Sequence, residues 1–526
     1  MAIIEGVTTF AVCAILARYY LHMFQLESYQ LDGYVRWCKR HRSRAFDWPV
    51  GIGLLDGTAQ LIAWKVIRSY GETPKRVAIG VLLALFVCAS LLYYRDLHDK
   101  KERRPFKLTA RMKRLYAAVV ALLALAVSAL YFARAPYYAV ATLSALPLAA
   151  GWLIQPLETL INRRYADQAR AKLHARGDLI KIGITGSYGK TSTKVILATI
   201  LSEKYNVLAS RESFNTPMGL TRVIREQLSD GHQVFIAEMG ARHAGDIREL
   251  VELVHPKIGI LTSVGPQHLE TFGDVATVAN TKFELIEGLP PDGVGFFGAD
   301  SGEVDKLFER ARCDKYRAGI EGGNLYARAV NVELMPLSSR FELVDAQGNS
   351  IRCETSLLGL HSIQNIAMSA AVALKLGLSM EEIARGVRKL KPIENRLQVM
   401  DGVNGMVILN DGYNANPAGA CAALEALSRF EGRRRIIVTP GMVELGEREA
   451  DFNREFGKNI AGCCDIAILV GEKRTEPISA GLREAGMPEE GIYVVSELGE
   501  VTELLRRIGR ERDVVLFEND LADNHM

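Results

Sequence analysis

Long apolar runs fill the first third of the chain and then stop. Residues 77–94, 115–133 and 135–157 run for 18, 19 and 23 positions without a charged side chain. Apolar runs of about 18 residues or more are long enough to cross a bilayer as helices. Two weaker runs precede them. The run 6–24 is broken by Arg18, and 48–64 contains Asp56, Gln60 and three glycines, which favours a re-entrant segment. Five spans are predicted over residues 1–157. No basic segment precedes the run 6–24, which argues against a cleaved leader.

From about residue 178 the pattern changes. Short continuous apolar runs at 234–237, 258–261, 406–409, 435–438, 466–469 and 514–517 alternate with helical stretches. Such runs read as parallel strands buried on both faces, and the alternation predicts doubly wound α/β domains. Leu390-Lys391-Pro392 ends a helix before the strand pattern restarts. The predicted architecture is a transmembrane helical region (1–157), a central α/β domain (158–392) and a C-terminal Rossmann-like domain (393–526).

Charge adds an orientation. Lys and Arg total 64 against 61 Asp and Glu, a net charge of +3, too small an excess to suggest nucleic acid. The basic residues are unevenly placed. Nine lie between Arg95 and Arg114, and Arg163, Arg164, Arg170 and Lys172 follow the last apolar run. Basic loops stay on the cytoplasmic side, so the α/β part is predicted at the cytoplasmic face of the membrane. The eight cysteines form no C-x-x-C pair, which fits a reducing compartment and argues against a disulfide framework or zinc site.

The strongest chemical signal is Gly186-Ser187-Tyr188-Gly189-Lys190-Thr191-Ser192, set between the apolar run 179–184 and a helix-like segment. Strand, glycine loop and helix N-terminus together cradle phosphate. Lys190 can reach the outer phosphates, and the Thr191 hydroxyl can hold Mg²⁺. Glu238 follows the run 234–237, His268 follows 258–261, and Lys282 lies on a predicted helix. Taken singly, each has an ordinary explanation: a cap, a structural imidazole, a solvated ammonium. Their order after a phosphate loop is what singles them out.

Motifs in order extend the picture: Asn215-Thr216-Pro217-Met218-Gly219, Glu238-Met239-Gly240, Gln267-His268-Leu269, Gly359-Leu360-His361 with Asn365, Asn395-Arg396-Leu397, Asp411-Gly412-Tyr413-Asn414-Ala415-Asn416-Pro417 and Gly441-Met442-Val443-Glu444-Leu445-Gly446. With the phosphate loop, they resemble the Mur ligase superfamily, in particular its branch that joins D-alanyl-D-alanine to a muramoyl tripeptide. The resemblance implies an ATP-dependent acid–amino-acid ligase. A substrate carboxylate would be activated as an acyl phosphate and then attacked by an amino acid or dipeptide amine. It implies that Gly186, Ser187, Gly189, Lys190, Thr191, Ser192, His361, Asn365, Arg396 and Asp411 bind the nucleotide. Thr191, Glu238, His268 and a carbamylated Lys282 would serve Mg²⁺. Lys190, Lys282, His268 and Arg396 would carry the catalysis, and Asn215, Thr216, Asn414 and Asn416 would meet substrate.

The chain departs from the family pattern at two places that matter. Glu518-Asn519-Asp520 stands where a Lys-Gly-Ser is usual, and apolar spans occupy the place of a uridine-nucleotide-binding domain. The acyl acceptor is therefore either a polyprenyl-linked precursor presented among membrane lipids or the ordinary soluble uridine nucleotide. A poly-amino-acid capsule ligase and a nucleotide-binding membrane scaffold without ligase chemistry are the alternatives.

Overall fold

Two compact units make up the described chain, one up to residue 163 and one from residue 164 to 519. The computed structural model describes residues 2–67, 72–97, 105–210, 214–299, 302–320, 324–412 and 416–519.

The first unit is helical: α1 (Ala2–Leu26), α2 (Leu31–Arg40), α3 (Trp48–Ile67), α4 (Glu72–Leu97), α5 (Ala110–Phe132) and α6 (Leu146–His174), which runs past the unit boundary. Among the described residues, three helices are long and apolar enough to cross a membrane, at Ile3–Leu26, Val77–Leu97 and Ala110–Phe132, and the bent pair Pro136–Thr142 with Leu146–His174 would make a fourth if it is one span. The helices run differently from the expected segments at two places. Residues 48–64, expected as a re-entrant segment, lie in one continuous helix. The run 135–157 is broken, with the 3₁₀ turn Pro136–Thr142 meeting α6 at 70°. The expected domain start at 158 lies inside α6. Large apolar side chains face outward, among them Leu55 and Ile3 at 75% exposure and Leu125 at 68%. Inside, Glu5 accepts hydrogen bonds from Gln60 (3.0 Å) and Tyr137 (3.2 Å).

The second unit contains two sheets. The larger has the order β2-β3-β1-β4-β5-β6-β7-β8-β9, formed by β1 (Ile180–Thr185), β2 (Val207–Ala209), β3 (Val234–Glu238), β4 (Ile258–Leu261), β5 (Val294–Gly298), β6 (Asp314–Ile320), β7 (Ala327–Leu334), β8 (Ser339–Asp345) and β9 (Ser350–Thr355). Its strands are parallel up to β7, and β7, β8 and β9 pair antiparallel. Side chains alternate between two cores. Val234 and Ile236 pack with Ile196, Leu197 and Ile200 of helix α7 (Lys190–Leu201), whereas Phe235 and Ala237 pack with Leu285 and Ile286 on the opposite face. Burial on both faces is why these strands read as unbroken apolar runs.

The smaller sheet has the order β10-β11-β15-β12-β13-β14, from β10 (Gln398–Asp401), β11 (Val407–Asp411), β12 (Arg435–Thr439), β13 (Ile466–Val470), β14 (Ile492–Val495) and β15 (Val514–Glu518). Only β10 is antiparallel. The last strand returns between β11 and β12, a reversal of strand order of the kind beside which open α/β sheets bind ligands.

Candidate active site

The site forms where the carboxyl ends of β3, β1 and β4 lie side by side. The loop after β1 turns on two glycines. Gly189 adopts φ +80°, and a Cβ there would lie 2.8 Å from Asn365 Oδ1. Gly186 has φ +150° and is pressed against Thr262 and Ser263. The segment after β4 clasps the loop: Ser187 N donates to Ser263 O (2.8 Å), Ser187 Oγ to Gly265 O (3.1 Å) and Tyr188 OH to Pro266 O (2.7 Å). The first backbone N–H groups of α7 thus begin a fixed turn suited to an anion. Ser192 is buried in that first turn.

Lys190 folds back over the loop, donating to Gly186 O (2.7 Å) and Ser187 O (3.1 Å). These carbonyls hold the ammonium where phosphate would arrive. Burial lowers its pKa to about 8, opposed by the Glu238 charge and assisted by Arg396.

Glu238 ends β3 and is 1% exposed. It accepts from Thr191 Oγ1 (3.1 and 3.0 Å), Asn215 Nδ2 (3.1 Å) and Lys194 Nζ (2.8 Å). Burial alone would raise its pKa, but the charges of Lys194 and Lys190 hold it below the usual carboxylate value. The pair fits Mg²⁺. Two oxygens at adjacent octahedral positions, each about 2.1 Å from the ion, are about 3 Å apart. The Thr191 hydroxyl and Glu238 carboxylate have that spacing. Among the described residues, no three His, Cys, Asp or Glu side chains gather as a metal cluster. A cation here would therefore lean on hydroxyl, phosphate and water oxygens.

Sequence reasoning missed Lys194. It sits one helical turn after Lys190 and is 2% exposed; a lysine on the inward face of a helix, four residues past a phosphate-loop lysine, was the available signal. It also missed the neighbour of His268. His268 Nδ1 hydrogen-bonds Glu444 Oε2, and Glu444 Oε1 lies 3.5 Å from Arg242. Burial lowers the His268 pKa, countered by Glu444.

Lys282 lies in the helix Val275–Glu287, 1% exposed. Its Nζ is 5.9 Å from the centre of the Phe272 ring. Burial and the Lys190 charge drive its pKa well below the ordinary lysine value. Asn365 Oδ1 accepts from Thr193 Oγ1 (3.1 Å), so it braces the loop, and His361 is exposed at the start of the same helix. Arg396 stands between Asn395 (φ +55°) and Leu397 (φ +43°), and its charge bears on Asp411, Glu518 and Lys190. Asp411 Oδ1 accepts from Leu397 N (3.1 Å).

The expected substrate residues have local partners. Asn215 is on Glu238, Thr216 caps the helix Pro217–Gln227 through Gly219 N (3.3 Å), and Asn416 caps the helix Pro417–Ser428 through Gly419 N (2.9 Å). Asn414 lies outside the described residues. Glu518 pairs in register with Asp411 and is 1% exposed. Burial, then the Asp411 charge, pushes its carboxyl well above the usual range.

A strand, glycine loop and helix with Lys190 and Thr191 set against a strand-end carboxylate define a phosphate-loop nucleotide-binding protein with a second α/β domain. Comparison with known proteins narrows the class. Residues 184–373 match the Mur ligase middle domain, and residues 395–518 match the domain described as Mur ligase, glutamate ligase domain. The chain belongs to the Mur ligase family. It is 32% identical over 371 residues to the UDP-N-acetylmuramoyl-tripeptide–D-alanyl-D-alanine ligase of Mycobacterium leprae, covering 65% of this chain and 71% of that one. The enzyme of the same name from Mycobacterium bovis is 34% identical over 312 residues, covering 58% of this chain and 60% of the relative. Against the latter, the chain therefore spans about three-fifths of the relative's length. The MurF ligase of Thermotoga maritima in complex with ADP superimposes with a TM-score of 0.61 at 28% identity, covering 68% of this chain and 80% of that one. A MurF of Acinetobacter baumannii gives 0.61 at 26% identity, with 68% and 77% covered.

Proposed function

We propose that this protein is an ATP- and Mg²⁺-dependent peptide ligase of MurF type, acting in peptidoglycan precursor synthesis. The observation that carries the reading is the Lys190–Thr191–Glu238 arrangement, with a buried Lys282 on the same unit. A carboxylate is a poor electrophile, so amide formation needs it activated. Transfer of the γ-phosphoryl group to the carboxylate asks mainly for positioning and charge neutralisation. The loop N–H groups and Lys190 would bind the phosphates, Arg396 would neutralise charge from the C-terminal side, and Asp411 would take the ribose. Bound Mg²⁺, held by Thr191 and Glu238 with His268 nearby, would neutralise charge between the phosphate and the carboxylate. The amine then attacks the acyl phosphate carbon, the C–N bond forms, and phosphate leaves. The amine is an amino acid or dipeptide, with D-alanyl-D-alanine the first choice by family.

Two finer readings belong with this one. Lys282 is suited to carbamylation, because burial favours the uncharged amine, the form that adds CO₂, and the product is an anion where a cation would repel Mg²⁺. The helical unit, with three span-length helices and outward apolar side chains, suits membrane anchoring with a cytoplasmic catalytic half. It also suits an acceptor carried on a polyprenyl lipid. Phosphate release from the detergent-solubilised protein tests the whole. Release should require ATP, Mg²⁺, an amine and an acceptor, offered either as a uridine-nucleotide muramoyl peptide or as a polyprenyl-linked fraction. Lys282→Ala should abolish release, and short-chain carboxylic acids should restore part of it. Full activity of Lys282→Ala would rule out the carbamate, and amine-independent release would rule out the ligase.

A further inference from the structure

The contact between His268 and Glu444 joins the two α/β domains, and no role assigned above uses Glu444. His268 belongs to the segment after β4, and Glu444 to the segment after β12. The two side chains are nearly sealed, at 14% and 17% exposure, and Arg242 flanks the carboxylate at 3.5 Å. Both residues adopt left-handed backbone conformations, φ +51° at His268 and φ +64° at Glu444. Non-glycine residues keep such conformations only where their surroundings over-determine them. Gly446 is also left-handed, and a Cβ placed on it would lie 3.7 Å from Leu269 Cβ and 3.8 Å from Glu270 N, so the two segments are in van der Waals contact there.

A carboxylate can only accept, so a neutral His268 must donate Nδ1–H to it. That fixes the tautomer and leaves the lone pair on Nε2. Two and three residues before His268, Pro266 O and Gly265 O accept hydrogen bonds from Tyr188 and Ser187 of the phosphate loop (2.7 and 3.1 Å), so the segment that carries the ring is fastened to that loop. Resting on the ligase reading above, we infer that Glu444 is a positioning residue: it holds His268 in its metal-ready tautomer, and it does so only when the C-terminal domain is docked on the central one. The inter-domain contact and cation binding are then one event. A carboxylate behind a ligating imidazole orients the ring and raises its basicity, and losing such a partner weakens metal binding by about 10–100-fold.

The test uses the full-length protein in detergent with ADP and Mn²⁺ as probes. ADP affinity is measured in EDTA, and Mn²⁺ affinity of the ADP complex by electron paramagnetic resonance. Glu444→Ala should weaken Mn²⁺ binding about tenfold or more while ADP affinity in EDTA stays within about twofold of wild type. Glu444→Gln, which keeps the size and an accepting oxygen, should show a smaller loss in the same direction. Unchanged Mn²⁺ affinity in both variants would overturn the inference. So would a parallel fall in Mn²⁺ and EDTA–ADP affinity in Glu444→Gln, which would mark a merely structural contact. Wild-type ADP binding that Mn²⁺ fails to tighten would instead remove the ligase reading on which the inference rests.

Discussion

Single residues at this site are bound together by charge. Lys194 and Glu238 form an ion pair with side chains 3% and 1% exposed. Removing one partner of such a pair leaves a buried charge uncompensated, at a cost of about 3–5 kcal/mol. Lys194→Met should therefore destabilise the catalytic half by about 3 kcal/mol in urea denaturation, and adding Glu238→Gln should recover much of it. Additive losses in the double variant would show that the pair is not coupled. Lys190 gives a pH prediction. Burial lowers its pKa to about 8, and phosphate prefers the charged form, so binding takes up a proton above that pH. ADP affinity should fall as pH rises from 7 to 9; a flat profile would show that Lys190 does not meet the phosphates.

At the scale of elements, the phosphate loop was fully legible because its requirements are local. The apolar run of β1, the glycines and Lys190-Thr191 sit within a dozen residues, and backbone geometry follows from them. Gly189→Ala makes this quantitative. A left-handed non-glycine residue costs about 1–2 kcal/mol, and the new Cβ would press on Asn365. Nucleotide affinity should drop roughly tenfold while circular dichroism stays unchanged. Wild-type affinity would mean that the loop is not held in this conformation when occupied. The helical region was less legible. Apolar composition reports how long a run is, not whether it bends, so the break between Thr142 and Leu146 was invisible, and the glycines of 48–64 suggested a turn where α3 is continuous. Contacts between distant segments were also hidden. Asn215 and Thr216 read as substrate residues from their motif, yet their side chains serve Glu238 and a helix cap. Nothing local in Glu444 announces His268, which lies 176 positions away.

For the whole molecule, the order of domains came through in the sequence, since parallel strands buried on both faces leave apolar runs that end in chemistry-bearing residues. The substrate does not follow from that order. At the carboxyl ends of β11 and β15, Asp411 and Glu518 stand in register, and the family pattern has a lysine where Glu518 stands. The central claim, carboxylate activation by ATP, does not depend on the identity of the substrate. Its most direct test is oxygen transfer: the acceptor is prepared with ¹⁸O in its free carboxylate, turned over with ATP, Mg²⁺ and the amine, and the released phosphate is analysed by mass spectrometry. An acyl phosphate pathway predicts one ¹⁸O in each phosphate released, matched one to one with amide formed. Phosphate free of ¹⁸O, with ATP consumed, would contradict the account.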